Sequence, residues 1–139
     1  MYRLAALTIL ICFSLSCQNY STGLQQSVAH ADETAATGAL RTIATAQQTY
    51  ALSNSGNYGT FQQLSESGYL DSRFNAENPV IKDYVLSVEV GQDSEGPFFR
   101  CKADPSDNKA GRHFYIDQSR MLRVNATQPA KASDPPAQP

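Results

Sequence analysis

The stretch that decides the fold is residues 32–50, which read DETAATGALRTIATAQQTY. Its larger apolar side chains recur at three- and four-residue steps, and this spacing places them on one face of a helix. Acidic residues open the stretch, where negative charge complements the helix dipole, and residues 54–57 (NSGN) supply a stop signal. We predict one long helix from residue 32 to about residue 53. Its apolar stripe is Ala36, Leu40, Ile43, Ala46 or Gln47, and Tyr50.

After this helix the hydrophobic pattern changes to a period of two, which is typical of strands. Residues 84–90 (YVLSVEV) alternate, residues 98–103 form a second segment, and residues 112–116 and 121–124 predict a hairpin. Short connections favour antiparallel pairing, because parallel strands need a long crossover. The sequence therefore predicts an α+β fold, with one long N-terminal helix packed on a small antiparallel sheet of three to four strands.

The start of the chain has the composition of an export signal. Arg3 supplies one positive charge, residues 4–17 carry none, and their apolar run is shorter than the roughly 20 residues of a membrane span. We place a signal peptide at residues 1–16. The pair Ser16-Cys17 resembles a bacterial lipobox, which predicts lipidation of Cys17 and attachment to a membrane through acyl chains.

Two other outcomes stay open for this end of the chain. The triplet Ala29-His30-Ala31 fits the small-x-small rule of ordinary signal peptidase, and cleavage there would release a soluble secreted product. Alternatively, the apolar segment stays uncleaved as an anchor. In the lipoprotein interpretation, residues 17–31 are a polar tether and residues 32–125 are the α+β domain. Residues 126–139 are rich in Ala and Pro, which predicts a disordered tail.

The composition bounds the functions that the chain can have. Its 139 residues suit one domain, and the net charge of −2 with a sequence pI of about 5.6 argues against a nucleic-acid partner. No nucleophile elbow, glycine-rich phosphate loop or CxxC pair occurs, so we predict a protein that is not an enzyme. Cys101 is interpreted as a small buried hydrophobe on a strand.

One metal hypothesis is raised by the loop after the second strand segment. Asp104, Asp107 and Asn108 cluster there, and hard oxygen ligands suit calcium. The alternative is an ordinary Asp/Asn turn. Calcium is the only cofactor that the sequence suggests.

Several pieces of the chain, taken in order, are similar to the globular heads of type IV pilin-like proteins, including the major pseudopilins of type II secretion. They are residues 32–50, 56–59 (GNYG), 64–70, 103–105 (ADP), 111–117 (GRHFYID) and 122–123. The resemblance implies an N-terminal helix packed on an antiparallel sheet, and some pseudopilins bind calcium in a loop of the sheet region. The long apolar filament helix of pilins has no counterpart in the polar residues 18–31. Arg120 also stands where the hairpin turn of the family often has glycine.

These features together predict an exported, non-enzymatic protein of the bacterial cell envelope with a pilin-like head. It would be tethered to a membrane through Cys17, facing the periplasm or the cell surface. There it would act as a structural or interaction subunit associated with a type IV pilus or a type II secretion-like system. The alternative is a stand-alone secreted or periplasmic binding module for a small ligand or calcium.

Overall fold

The computed structural model of this chain describes residues 16–107 and 109–138. The chain divides between Ala31 and Asp32 into two compact units. Its longest element is helix α1, Ser16–Ser53. The elements that follow are α2 (Phe61–Glu66), a 3-10 helix (Ser72–Phe74), β1 (Val80–Ile81), β2 (Tyr84–Asp93), β3 (Gly96–Pro105), β4 (His113–Asp117) and β5 (Arg123–Asn125).

The five strands form one sheet in the order β1-β2-β3-β4-β5, and every neighbouring pair is antiparallel. The predicted α+β class, with one long helix and an antiparallel sheet, is confirmed. The predicted count of three to four strands is wrong, because the sheet has five. The strand missed by the sequence is β1, whose two residues pair with Val85 and Tyr84. A segment of two residues is too short to show a period-two pattern.

The core lies between α1 and one face of the sheet. Ala36, Leu40 and Ile43 are fully buried on the helix, as the apolar stripe predicted. From the sheet, Leu86 and Phe99 contribute fully buried side chains to the same cluster. The alternating register of β2 and β3 turns these side chains to one face. The remaining buried members are Ala39, Ala44, Ala46, Phe61, Leu64, Leu70, Phe74, Tyr84, Cys101, Ala103, Phe114, Ile116 and Leu122.

Helix α1 begins well before the predicted residue 32. Residues 17–31, expected to be a polar tether, are helical in the first unit. This stretch is polar but has no proline and a single glycine, Gly23, so its backbone can keep the helical hydrogen bonds. The predicted signal peptide, residues 1–16, lies outside the described residues except for Ser16. Within residues 16–107 and 109–138, no helix is long and apolar enough to cross a membrane.

The buried side-chain amide of Gln47 on α1 fixes the backbone at Gly59, just before α2. Gln47 is fully buried. Its side-chain Nε2 donates to the carbonyl of Gly59 at 2.6 Å, and the Gly59 N–H donates to its Oε1 at 2.9 Å. Helix α2 then starts after its N-cap, Thr60, whose hydroxyl accepts from the Gln63 N–H in a capping box. The connection is therefore held by side-chain hydrogen bonds at Gly59 and Thr60, the two residues before α2.

The end of the chain is ordered where the sequence predicted disorder. Residues 126–138 follow β5, and Arg123 of that strand forms an antiparallel bridge with Pro136. Ala130 is fully buried. The expectation of a disordered tail over 126–139 is therefore wrong for residues 126–138. The prediction rested on the Ala- and Pro-rich composition of the segment. Composition alone does not show that the edge of β5 is close enough for the segment to pair with it.

Candidate functional site

Charged and polar side chains meet where the β3–β4 connection passes the helix, and we call this group the polar junction. Its members are Glu33 on α1, Tyr84 on β2, Asp104 on β3, and Arg112 and His113 at the start of β4. The antiparallel register brings them together, because β3 ends and β4 begins at the same end of the sheet. The junction includes the loop in which the sequence predicted calcium ligands.

A bidentate ion pair joins the helix to this connection. Arg112 Nη2 lies 2.7 Å from Glu33 Oε2, and its Nε donates to the same carboxylate. The backbone N–H of Arg112 adds a bond of 3.1 Å to Glu33 Oε1. Hydrogen bonding to the carboxylate raises the pKa of the Arg112 guanidinium. Planar two-point pairing of this kind adds geometric specificity to the attraction, so it sets the position of the connection against α1.

Tyr84 links β2 to the residue that precedes β4. Its side chain is buried, and its hydroxyl donates to the Arg112 carbonyl at 2.9 Å. Burial, followed by the nearby charge of Glu33, raises the pKa of Tyr84 to about 12. The phenol therefore stays protonated at neutral pH and serves as a donor. Gly111 has no room for a side chain, because an added Cβ would collide with the Tyr84 hydroxyl.

The second side-chain contact of the junction is a hydrogen bond that uses a predicted calcium ligand. Asp104 Oδ1 lies 2.6 Å from His113 Nδ1, and both side chains are partly buried. The carboxylate of Asp104 therefore already has a hydrogen-bond partner within the sheet. His113 lies on β4 and is half-buried.

The other two predicted calcium ligands are not brought into this contact. Asp107 is exposed in the turn after β3, and Asn108 lies outside the described residues. Among the residues that the structure describes, no three His, Cys, Asp or Glu side chains are grouped so that they could hold a metal ion. Calcium binding at Asp104, Asp107 and Asn108 stays a prediction.

The remaining residues singled out from the sequence lie away from the junction. Cys101 is fully buried on β3, and its free thiol has a pKa raised by burial. A buried neutral thiol is a poor nucleophile, which agrees with its interpretation as a small hydrophobe. His30 is exposed on α1. Cys17 lies in the first turn of α1, and lipidation there stays a prediction.

Two open grooves lie on the surface of the second unit. The first has a volume of about 450 Å³ and runs between α1 and the β1 edge, where Val80, Arg73 and Lys82 line it. The second, of about 570 Å³, lies beside α2 and includes Glu77 and Val88. The Arg73 guanidinium is held by Asp71 at 2.8 Å. Neither groove brings a nucleophile and a general base into contact in the described part of the chain.

The contacts of the polar junction hold the helix, the end of β3 and the start of β4 together. Its two carboxylates are engaged, one by a guanidinium and the other by an imidazole. The sequence missed the Glu33–Arg112 pair because 79 positions separate the two residues. The available signal was weak: an acidic residue at the start of a predicted helix, with an arginine before a strand.

Comparison of the chain with protein-family models, with curated proteins and with solved structures gives no match.

Proposed function

We propose that this chain is an interaction or structural subunit of a bacterial cell envelope, held at a membrane by a lipid on Cys17. The observation that carries the proposal is the continuity of α1. One helix runs from the predicted attachment residue into the segment that packs on the sheet. Acyl chains on Cys17 would therefore be attached to the same helix whose later residues, from Ala36 onward, pack in the core.

The chemistry of the described surface agrees with a contact role. The carboxylates of the polar junction are paired, and the thiol of Cys101 is buried and neutral. The two-point contact of Arg112 with Glu33 ties a loop to a helix, which favours a scaffold role.

The proposed head is pilin-like, and the proposed partners are components of a type IV pilus or a type II secretion-like system. The α+β architecture, with a long helix on an antiparallel sheet, supports this part of the proposal together with the ordered motifs of residues 32–123. Arg120, which replaces a glycine often found in that turn, adopts the left-handed backbone that a glycine would favour, with φ of 63°.

Labelled palmitate in cells that express the full chain tests the anchor. We expect the label on the wild-type protein and on Cys12→Ala, since that residue belongs to the predicted signal peptide. Cys17→Ala should carry no label and should leave the membrane fraction. Label retained by Cys17→Ala, or absent from the wild type, would show that the lipid-anchor proposal is wrong.

Crosslinking of intact cells tests the partner. Mass spectrometry should find pilus or secretion-system subunits attached to the wild-type chain, and fewer of them attached to Cys17→Ala at equal abundance. Equal amounts of these crosslinks in the wild type and in Cys17→Ala would show that partner binding does not depend on membrane attachment. Crosslinks to no such subunit would contradict the proposed system.

A further inference from the structure

The C-terminal segment, residues 126–138, forms one antiparallel bridge with the outer edge of β5. Arg123 and Pro136 face each other as an antiparallel bridge. The Arg123 guanidinium also donates to the carbonyl of Asp134 at 2.7 Å. Ala130 is fully buried, so the segment is anchored by packing as well as by hydrogen bonds. The last strand of the sheet is therefore covered by the chain itself.

Two backbone bonds flank the bridge. The Val124 N–H donates to the carbonyl of Pro135 at 3.1 Å, and the Ala137 N–H donates to the carbonyl of Leu122 at 2.8 Å. This is the pattern expected around a non-hydrogen-bonded pair of an antiparallel ladder. Residues 135–137 are consequently in antiparallel register with residues 122–124.

A proline stands at the register position where the ladder needs a donor. Val124 and Pro135 oppose each other, and in an antiparallel pair of this type each residue donates to the other. Pro135 has no N–H, so the pair makes one bond where two are geometrically available. The C-terminal segment thus leaves one backbone hydrogen bond of the β5 edge unmade, the one that the Val124 carbonyl would accept from residue 135.

The connection to this segment is suited to release. Residues 126–129 are all exposed, and their turn is capped by Asn125, whose Oδ1 accepts from the N–H groups of Thr127 and Gln128. These cap bonds belong to the turn itself. Moving the segment away therefore breaks the contacts at the β5 edge and exposes Ala130, and it leaves the turn intact.

We propose that the β5 edge is a strand-addition site for an extended segment of a partner protein, and that residues 130–138 are its internal, replaceable occupant. The partner segment runs antiparallel to β5 and carries a residue other than proline opposite Val124. Its N–H there completes the bond that Pro135 cannot make. Main-chain pairing of this kind supplies affinity at exposed sheet edges. The biological role of the edge rests on the interaction function proposed above.

Peptides added to the purified full chain test the site without reference to the lipid. The internal segment acts at a millimolar effective concentration, as short tethers do, so it must first be weakened. Ala137→Pro does this by removing the N–H that bonds to Leu122. The probes are a labelled peptide of residues 128–139 with Pro135→Ala, and the same peptide with that nitrogen methylated.

Fluorescence anisotropy should show saturable binding of the Pro135→Ala peptide to the Ala137→Pro chain. Binding to the wild-type chain should be at least roughly tenfold weaker, because the internal segment competes. The methylated peptide should bind roughly fivefold more weakly than its parent, the factor that one net hydrogen bond supplies. A folded Ala137→Pro chain that binds neither peptide, or both equally, would overturn the proposal.

Hydrogen exchange in the wild-type chain gives a test that needs no variant. The Val124 N–H faces the segment, whereas the N–H of Ile116 on β4 belongs to the ladder with β3. If the segment opens by itself, the Val124 amide exchanges through a local opening while the Ile116 amide stays protected. Exchange of both amides only by global unfolding would show that the segment is not replaceable. Loss of lipidation at Cys17 would leave either result unchanged.

Discussion

Replacing Gln47 by leucine is expected to be one of the most destabilising single changes in the second unit. The side chain is fully buried and bonds both the N–H and the C=O of Gly59. Leucine fills a similar volume but offers neither a donor nor an acceptor. Both backbone groups of Gly59, itself buried, would then lie away from water without partners.

The magnitude follows from the desolvation of those two groups. Each buried, unsatisfied polar group costs about 1–3 kcal/mol, so the pair predicts a loss of about 2–6 kcal/mol from the free energy of unfolding. For a chain of this size that loss lowers Tm by roughly 8–24 °C.

Urea unfolding followed by circular dichroism measures this effect. Gln48→Leu is the matched control. It replaces the next residue of the helix by leucine in the same way, but the Gln48 side chain is only half-buried. We expect Gln48→Leu to change the free energy of unfolding by less than about 1 kcal/mol. The explanation fails if Gln47→Leu costs no more than this control.

Three further outcomes are expected. Arg120→Gly should raise Tm by a few degrees in thermal scans. The left-handed backbone at φ 63° costs a residue with a Cβ about 1–2 kcal/mol, whereas the greater unfolded-state entropy of glycine costs only about 0.4–1 kcal/mol. An unchanged or lower Tm would contradict this explanation. In a Cys12→Ala, Cys17→Ala chain, the buried thiol of Cys101 should resist a disulfide reagent until urea unfolds the protein, and rapid labelling of the folded chain would refute it. Burial raises the pKa of Tyr84 to about 12 in the folded chain, so the protonated phenol favours the folded state. This contribution to stability should be complete below the unfolded pKa near 10 and should be lost as pH rises from 10 to 12. Urea midpoints measured at pH 9, 10 and 11 should therefore fall less steeply for Tyr84→Phe than for the wild type, and parallel curves would exclude this cause.

Much of the fold could be predicted because its elements carry strong periodic patterns. The buried stripe through Leu40 and Ile43 and the alternation around Leu86 were visible without a structure. What could not be predicted depends on the tertiary setting. Strand β1 is two residues long, and the ordered C-terminal segment exists because an unpaired edge of β5 lies beside it.

The candidate site was predicted less completely, for a physical reason. Sequence spacing indicated that Asp104 could ligate a cation, but it could not show that His113 would lie across the strand pair at 2.6 Å. Glu33 was read as a charge that complements the helix dipole. Its two-point contact with Arg112 depends on how α1 packs against the β3–β4 connection. Long-range pairs of this kind leave no local pattern in the chain.

The most direct test of the lipid-anchored envelope subunit is the N-terminus of the mature protein from bacterial cells. Mass spectrometry of the detergent-extracted chain should find Cys17 as the first residue, carrying a mass that corresponds to attached acyl groups. A mature chain that begins at Asp32, as cleavage after Ala31 would produce, or one that retains Met1, would contradict the account.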